Sequence, residues 1–190
     1  AQNLMWQFVV EQRGGYLTAN DSYLLRLVNG TTARVLSTPG DVNRMYFDGS
    51  NLNTSEDGYF AVDAGFPIVS YFETKLIEAE AAHRTGGDAL TPFNAVRTAL
   101  AATYGGSFPT SASSGSDLLM EIIEEKYVSL IGSTQVFHDV RRTNNLIGVP
   151  IKANDATSIP QRFLYPQIEV NSNSSFPGIV DLFTPTPVNQ

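Results

Sequence analysis

The sequence predicts a mainly α-helical fold, in which helical hairpins are joined by long irregular loops. Apolar residues recur every three or four positions in several segments, which is the spacing of a helix with one buried face. Between these segments the chain is rich in Gly, Asn, Ser, Thr and Pro, which favour turns and loops. With 190 residues, 42% of them hydrophobic and 16% charged, the chain is expected to fold as a single domain.

Residues 1–66 are predicted to be a loop-rich region with two short helices. The first apolar helical pattern stops at Gly14, where a second glycine follows. Ser22 can cap a second helix, which is expected to end at Gly30. After it no period is sustained, and turn signals such as Asp48-Gly49 predict a long loop.

Residues 67–143 are predicted to form the helical core. The clearest helix is expected to begin at Pro67, to include Ile68 in its buried face and to end at Gly86. A second helix, at about residues 91–104, follows a Gly-Gly-Asp link. Because this link is short, the two helices are expected to pack as an antiparallel hairpin.

Further helices are predicted from Ser116 to Gly132 and at about residues 134–142, whereas residues 144–190 are predicted to be an irregular tail that packs on the helices.

The central hairpin is similar to a tetratricopeptide unit, with small Ala residues at the expected contact. One such hairpin cannot bury both of its faces, and these units normally stack in groups. We therefore expect partner helices on sequence beyond this chain.

Charge and composition exclude several classes of function. The net charge is −7 and the pI is about 4.7, so the chain is poorly suited to nucleic acid. The absence of cysteine excludes disulfides, thiolate metal sites and a cysteine nucleophile. No apolar run approaches the ~20 residues that span a bilayer. The first residues lack the basic and apolar regions of a signal peptide, which agrees with a portion of a longer protein.

Four segments carry recognisable motifs. Residues 71–81 read E-x-x-L-x-x-A-E-A at their end, and residues 121–127 read E-I-I-E-E-K-Y. Residues 137–143 contain D-x-R-R-T, and residues 159–166 read I-P-x-R-x-x-Y-P. In this order, the four motifs resemble the carboxy-terminal portion of the SusD/RagB family of nutrient-binding outer-membrane lipoproteins.

The resemblance implies a binding protein rather than an enzyme. It implies tetratricopeptide-like helices with long loops, a glycan or other nutrient as ligand, and no cofactor or metal. The implied partner is a TonB-dependent (SusC-like) transporter. The implied location is the outward-facing surface of the cell outer membrane, where a lipid anchor on the full-length parent would hold the protein.

Some motif residues are interpreted as scaffolding. We expect Arg141, Arg142 and Arg162 to form ion pairs with carboxylates such as Glu73, Glu80 or Glu125, and so to hold the tail on the helices. The residues assigned to this structural role are Glu73, Glu80, Arg141, Arg142, Arg162 and Tyr165.

Family members bind nutrients through aromatic and polar side chains on exposed loops. Aromatic rings stack on sugar faces, although loop aromatics also serve simply for packing. The candidate ligand-binding residues in this chain are Trp6, Tyr16, Arg44, Tyr46, Asp57 and Tyr59.

Three alternatives accompany this hypothesis. The helices could form a tetratricopeptide-type scaffold for a protein segment. Glu73 and Glu80 lie about 10 Å apart along one helix, a spacing that an inverting glycoside hydrolase could use. The oxygen-rich segment 48–57 could hold calcium, although it does not fit the EF-hand spacing.

The two histidines, His83 and His138, are interpreted as packing or capping residues, since no Gly-x-Ser-x-Gly motif supplies a nucleophile.

Overall fold

The structure is a computed structural model that describes residues 2–151 and 158–186. It is 45% helix and 2% strand, which confirms the predicted mainly α class. Its internal contacts define two compact units, residues 1–131 and residues 132–190. The expectation of one domain for the whole chain stays a prediction. No helix among the described residues has the length and apolar character needed to cross a lipid bilayer.

Within residues 2–131, the first unit contains five α-helices, one 3-10 helix and one small hairpin of strands. Its elements are α1 (Leu4–Trp6, continued by a π-helical stretch Gln7–Gln12), α2 (Tyr23–Val28), a 3-10 helix (Pro39–Arg44), β1 (Phe47–Asp48), β2 (Asn51–Leu52), α3 (Tyr71–Thr85), α4 (Leu90–Tyr104) and α5 (Gly115–Ser129). The strands are antiparallel, and Gly49 at their turn has a φ of 55°, which suits glycine.

Helix α2 forms as its sequence predicts. The hydroxyl of Ser22 accepts a hydrogen bond from the backbone N–H of Leu25 at 3.1 Å, which caps the first turn. Asn29 and Gly30 follow the last turn, and Gly30 has a left-handed φ of 78°. Local capping chemistry is therefore sufficient to define this short helix at both ends.

Helix α3 begins later than predicted. Ser70 caps it, because its hydroxyl accepts from the N–H of Glu73 at 3.1 Å, so the first helical residue is Tyr71 rather than Pro67. The prediction that Ile68 belongs to the buried face is wrong, since this side chain is 92% exposed. The predicted end is confirmed: Gly86 adopts a left-handed φ of 76° at the C-cap.

The main core lies where α3 packs against both α4 and α5. Fully buried apolar side chains from all three helices meet there: Leu76, Ala79, Phe93, Val96, Leu100 and Ile122. A smaller core joins α2 to α5 through Leu27 and Val128, with Tyr46 from the intervening loop. Helix α5 therefore contributes to both cores of the first unit.

In its described residues, 132–151 and 158–186, the second unit contains two helices, α6 (Gln135–Arg142) and α7 (Gln167–Ser172). The first was predicted. The prediction that the tail contains no helix is wrong, because α7 follows Pro166, although it is too short to show a helical period. Phe163 of the tail packs on Phe137 of α6, with ring centroids 4.7 Å apart.

Leu76 and Ile77 provide a matched test of the main core. Replacement of Leu76, which is fully buried, by Ala is expected to lower the free energy of unfolding by about 2–5 kcal/mol because it leaves a cavity. The neighbouring Ile77→Ala change, at a side chain that is 51% exposed, is expected to cost about 1 kcal/mol or less. Urea denaturation of the two variants measures both values, and equal losses would contradict this core.

Candidate functional site

A network of buried charges is the most distinctive polar feature of the first unit. It consists of six side chains, here called the charge network: Arg34, Asp41, Arg44, Arg97, Glu124 and Glu125. None of these side chains is more than 4% exposed. The three positive and three negative charges balance, which is the condition under which ionised groups tolerate burial.

Glu125 lies at the centre of the charge network. Its Oε1 atom accepts from Arg44 at 2.6 Å and from the hydroxyl of Ser129 at 2.7 Å. Its Oε2 atom accepts from Arg34 at 2.8 Å and from Arg97 at 2.6 Å. Although burial opposes ionisation, the three guanidinium groups hold the pKa of Glu125 well below its ordinary value.

The loop that follows α2 is held to α5 through Arg34. Its Nε atom donates to Glu124 at 2.7 Å, and its two terminal nitrogens donate to Asp41 and Glu125. Each side of this guanidinium is thus paired with a carboxylate. Glu124 also accepts from the backbone N–H of Val35 at 3.0 Å, so the helix carboxylates bind both the side chain and the backbone of the loop.

Arg97 brings α4 into the same network. Besides its bond to Glu125, it donates to the carbonyl of Pro109 at 2.9 Å and to the hydroxyl of Thr38 at 2.7 Å. The guanidinium groups of Arg97 and Arg44 lie over the ring of Phe108, 5.6 Å and 5.3 Å from its centroid. The network therefore joins the loop, α4 and α5.

Two residues predicted to bind ligand are inside the protein. Arg44 and Tyr46 are each only 1% exposed, so the prediction that they contact a ligand at the surface is wrong. Arg44 is part of the charge network, and Tyr46 packs edge-on against Tyr59 with ring centroids 4.7 Å apart. Burial raises the pKa of Tyr46 above its ordinary value. These side chains organise the loop rather than face solvent.

The other four predicted ligand residues are spread over the first unit. Tyr59 is half-buried, and burial raises its pKa to about 12. Trp6 is half-buried in α1, and Asp57 is exposed. Tyr16 is 77% exposed, with the guanidinium of Arg13 over its ring at 5.2 Å. Within residues 2–151, Trp6 and Tyr16 make no ring contact with Tyr59, so these residues do not form one aromatic surface.

Two of the motif carboxylates form ion pairs with cations of the first unit. Glu80, which is buried, pairs with Lys126 of α5 at 3.2 Å and with Arg84 at 2.8 Å. Glu125 pairs with arginines of the first unit, and Glu73 is half-buried near the start of α3. Within the first unit, Glu80 and Glu125 thus pair with cations that were not predicted as their partners.

The motif residues of the second unit form local contacts within that unit. Arg142 pairs with Asp139 at 2.6 Å, one turn earlier on α6. Arg141 donates to the hydroxyl of Thr186 at 3.0 Å. Tyr165 packs edge-on against Phe176 at 5.2 Å, and Arg162 is half-buried. The expectation that Arg141, Arg142 and Arg162 pair with carboxylates such as Glu73, Glu80 or Glu125 stays a prediction.

The sequence did contain a signal for the buried charges. Arg97 lies four residues after Phe93 and three before Leu100, and therefore on the apolar face of α4. Glu125 lies three residues after Ile122 on α5. A charged residue on an otherwise apolar helix face is typical of a buried ion pair. Arg34 gave no such signal, because it lies in a loop without a period.

Both histidines make contacts within their own units. The Nε2 atom of His83 lies 2.8 Å from the carbonyl oxygen of Gly115, so it joins the end of α3 to the start of α5. His138 is exposed, and its Nδ1 atom lies 3.4 Å from Arg141. In residues 2–151 and 158–186, which include the oxygen-rich segment, no group of three or more His, Asp or Glu side chains is arranged to hold a metal ion.

A cavity of about 300 Å³ opens between the end of α2 and the 3-10 helix. It is here called the α2 cavity, and its lining residues are Leu27, Val28, Asn29, Gly30, Thr32, Ala33, Arg34, Ser37, Thr38, Pro39 and Val42. Arg34 connects this cavity to the charge network. A second cavity, of about 250 Å³, is lined mainly by apolar residues of α1 and the π-helical stretch.

No protein-family model matches the chain, and comparisons with curated proteins and with solved structures find no match.

Glu125→Gln tests how strongly the first unit depends on the charge network. The variant keeps the size of the side chain but leaves three buried arginines short of one negative charge, so the free energy of unfolding is expected to fall by about 3–5 kcal/mol. Glu78→Gln is the matched control. Its partner is Lys75 at 2.7 Å on the surface, where ion pairs contribute little. Urea denaturation should separate the two variants, and similar stabilities would contradict the central role of Glu125.

The difference in unfolding free energy between the native protein and Glu125→Gln is expected to decrease in acid. Because the pKa of Glu125 is lower in the folded protein than the ordinary 4.5, unfolding takes up a proton in acid. The contribution of ionised Glu125 to the free energy of unfolding is complete above about pH 4.5. It is lost as the pH falls towards the pKa that Glu125 has in the folded protein.

Burial raises the pKa of Asp41 and of Glu124, which gives the opposite pH dependence, so the comparison with Glu125→Gln is needed to isolate Glu125. The measurement is the difference in unfolding free energy between the two proteins from neutral pH to about pH 3. A difference that stays constant or grows in acid would show that the carboxylate of Glu125 is not held ionised.

Proposed function

We propose that this chain is the carboxy-terminal portion of a SusD/RagB-type protein, which captures a glycan at the outer surface of the outer membrane and delivers it to a TonB-dependent (SusC-like) transporter. The observation that carries this proposal is the ion pair between Glu80 and Lys126. These residues belong to two different motifs of the resemblance and lie 46 positions apart. Through this buried contact, the two motifs hold α3 and α5 together.

The arrangement of helices also supports the proposal. Helices α3 and α4 are joined by a short link and share one core, and α5 packs against α3. Ala79 and Ala89 are buried at this contact, where small side chains allow helices to approach closely. A tetratricopeptide-like hairpin, extended by a third helix, is the architecture that the resemblance implies.

The burial and pairing of Glu80 agree with a protein that binds its ligand without catalysis. A general acid or base must reach its substrate, directly or through one water. Glu80 instead is buried and paired with Lys126 and Arg84. This contact disfavours the glycoside hydrolase alternative, which needs Glu73 and Glu80 as a catalytic pair. The proposed parent protein binds its nutrient, is anchored by lipid and needs no cofactor.

Calorimetric titration with oligosaccharides tests the binding function. The full chain is titrated with neutral starch-, xylan- and mannan-derived oligosaccharides and with pectin-derived acidic ones, and the sugars are analysed by chromatography afterwards. Saturable binding with unchanged sugar lengths is expected. Shortened products would overturn the proposal in favour of a hydrolase, and the absence of binding to every sugar would overturn it as a glycan-binding protein.

Co-expression tests the proposed partner. The gene of the full-length parent is expressed with a TonB-dependent barrel encoded beside it, and the complex is isolated from detergent-solubilised outer membranes through a tag on the barrel. Co-purification at a constant ratio is expected. Recovery of the parent protein only in fractions without the barrel would overturn the transporter partnership.

A further inference from the structure

The α2 cavity is not the ligand site that was predicted from the aromatic and polar residues of the sequence. Its lining residues in the described part of the chain include none of the six candidates chosen from the sequence. Its volume of about 300 Å³ lies at the lower end of the range for small-molecule sites, which suits a ligand the size of one or two sugar rings. The cavity is thus large enough to receive the end of a chain-like ligand or a small ligand as a whole.

The lining of the cavity offers uncommitted hydrogen-bonding groups. Within the described residues, the hydroxyls of Thr32 and Ser37 have no hydrogen-bond partner in the protein. The side-chain oxygen of Asn29 accepts from the N–H of Thr31 at 2.9 Å, which leaves its amide nitrogen available to donate. These groups supply donors and acceptors in the same cavity.

The lining also contains aliphatic side chains. They belong to Leu27, Pro39 and Val42, and the side chain of Val42 is 56% exposed. A ligand that uses this lining needs both polar groups and C–H groups. A sugar ring has this composition, because its hydroxyls lie around the edge and its C–H groups form a face that benefits from apolar contact.

The charge network determines which kind of sugar the cavity suits. Arg34 lines the cavity, but its three nitrogens donate to Glu124, Asp41 and Glu125. The network is balanced in charge, and the whole chain carries a net charge of −7. No free positive charge is therefore available in the described lining for a carboxylate, a sulfate or a phosphate on the ligand.

We infer that the α2 cavity binds a neutral carbohydrate of one or two rings. The inference rests on the proposed function and deepens it, since it gives that function a location and a ligand class. Thr32, Ser37 and Asn29 hydrogen-bond to the sugar hydroxyls, and Val42 and Pro39 contact its C–H face. The charge network holds the loop that carries these residues, and the nitrogens of Arg34, its member in the lining, stay paired with carboxylates.

The test combines chemical-shift mapping with a double variant. Maltose, xylobiose and mannobiose are the neutral probes, and digalacturonate is the acidic one. At least one neutral probe is expected to shift the amide resonances of residues 27–42 and to bind more tightly than digalacturonate. Replacement of both cavity hydroxyls, in Thr32→Val/Ser37→Ala, is expected to weaken that binding by about tenfold or more, because two hydrogen bonds are lost.

Ser107→Ala/Thr110→Val is the matched control, since it removes two hydroxyls of the same kinds from exposed positions outside the cavity. The affinity of this control variant for the neutral sugar is expected to equal that of the native protein. If a neutral sugar binds but shifts other residues, or binds equally well to both double variants, the location is overturned while the proposed function stands. Tighter binding of digalacturonate overturns the ligand class alone. If no sugar binds, this inference and the proposed glycan binding both fail.

Discussion

The pairing of Glu125 with three arginines is the interaction on which the rest of the first unit depends. Removing a carboxylate from water is costly, and only close opposite charges with good geometry offset that cost. Arg34 and Arg44 supply two of these charges from the loop, and Arg97 supplies the third from α4. If the loop moved away, Glu125 would be left with too few cations and the loop arginines with too few anions. The loop therefore has a defined position although it lacks long regular elements.

This constraint extends from the charge network to the surface loops. Arg44 holds its place through Asp41 and Glu125, and the rings of Tyr46 and Tyr59 pack next to it. The N–H of Tyr59 in turn donates to the carbonyl of Met45 at 3.0 Å, which brings the two ends of this loop segment together. The aromatic side chains are thus used to organise the loop. The α2 cavity is lined by hydroxyl and aliphatic residues from the end of α2 and from this loop.

The motif residues and the proposed binding residues have separate tasks. Glu80 and Lys126 join α3 to α5, and Asp139 pairs with Arg142 within α6. Such contacts identify an architecture, because helices can be held together in this way whatever ligand the protein binds. A binding cavity has different needs, namely unpaired hydrogen-bonding groups and accessible apolar surface. For this reason the motifs that carry the proposed family assignment do not indicate where the proposed ligand would bind.

The sequence by itself determined most helices, because caps and apolar periods act within a few residues. Ser22 and Gly86 marked true helix ends, whereas Ile68 was misplaced because the stronger cap at Ser70 starts α3 later. Only the tertiary structure decided that Arg44 and Tyr46 are buried. Their environment comes from α4 and α5, and the bond from Arg44 to Glu125 spans 81 positions. Burial at that separation depends on how helices and loop pack together, which no local pattern encodes.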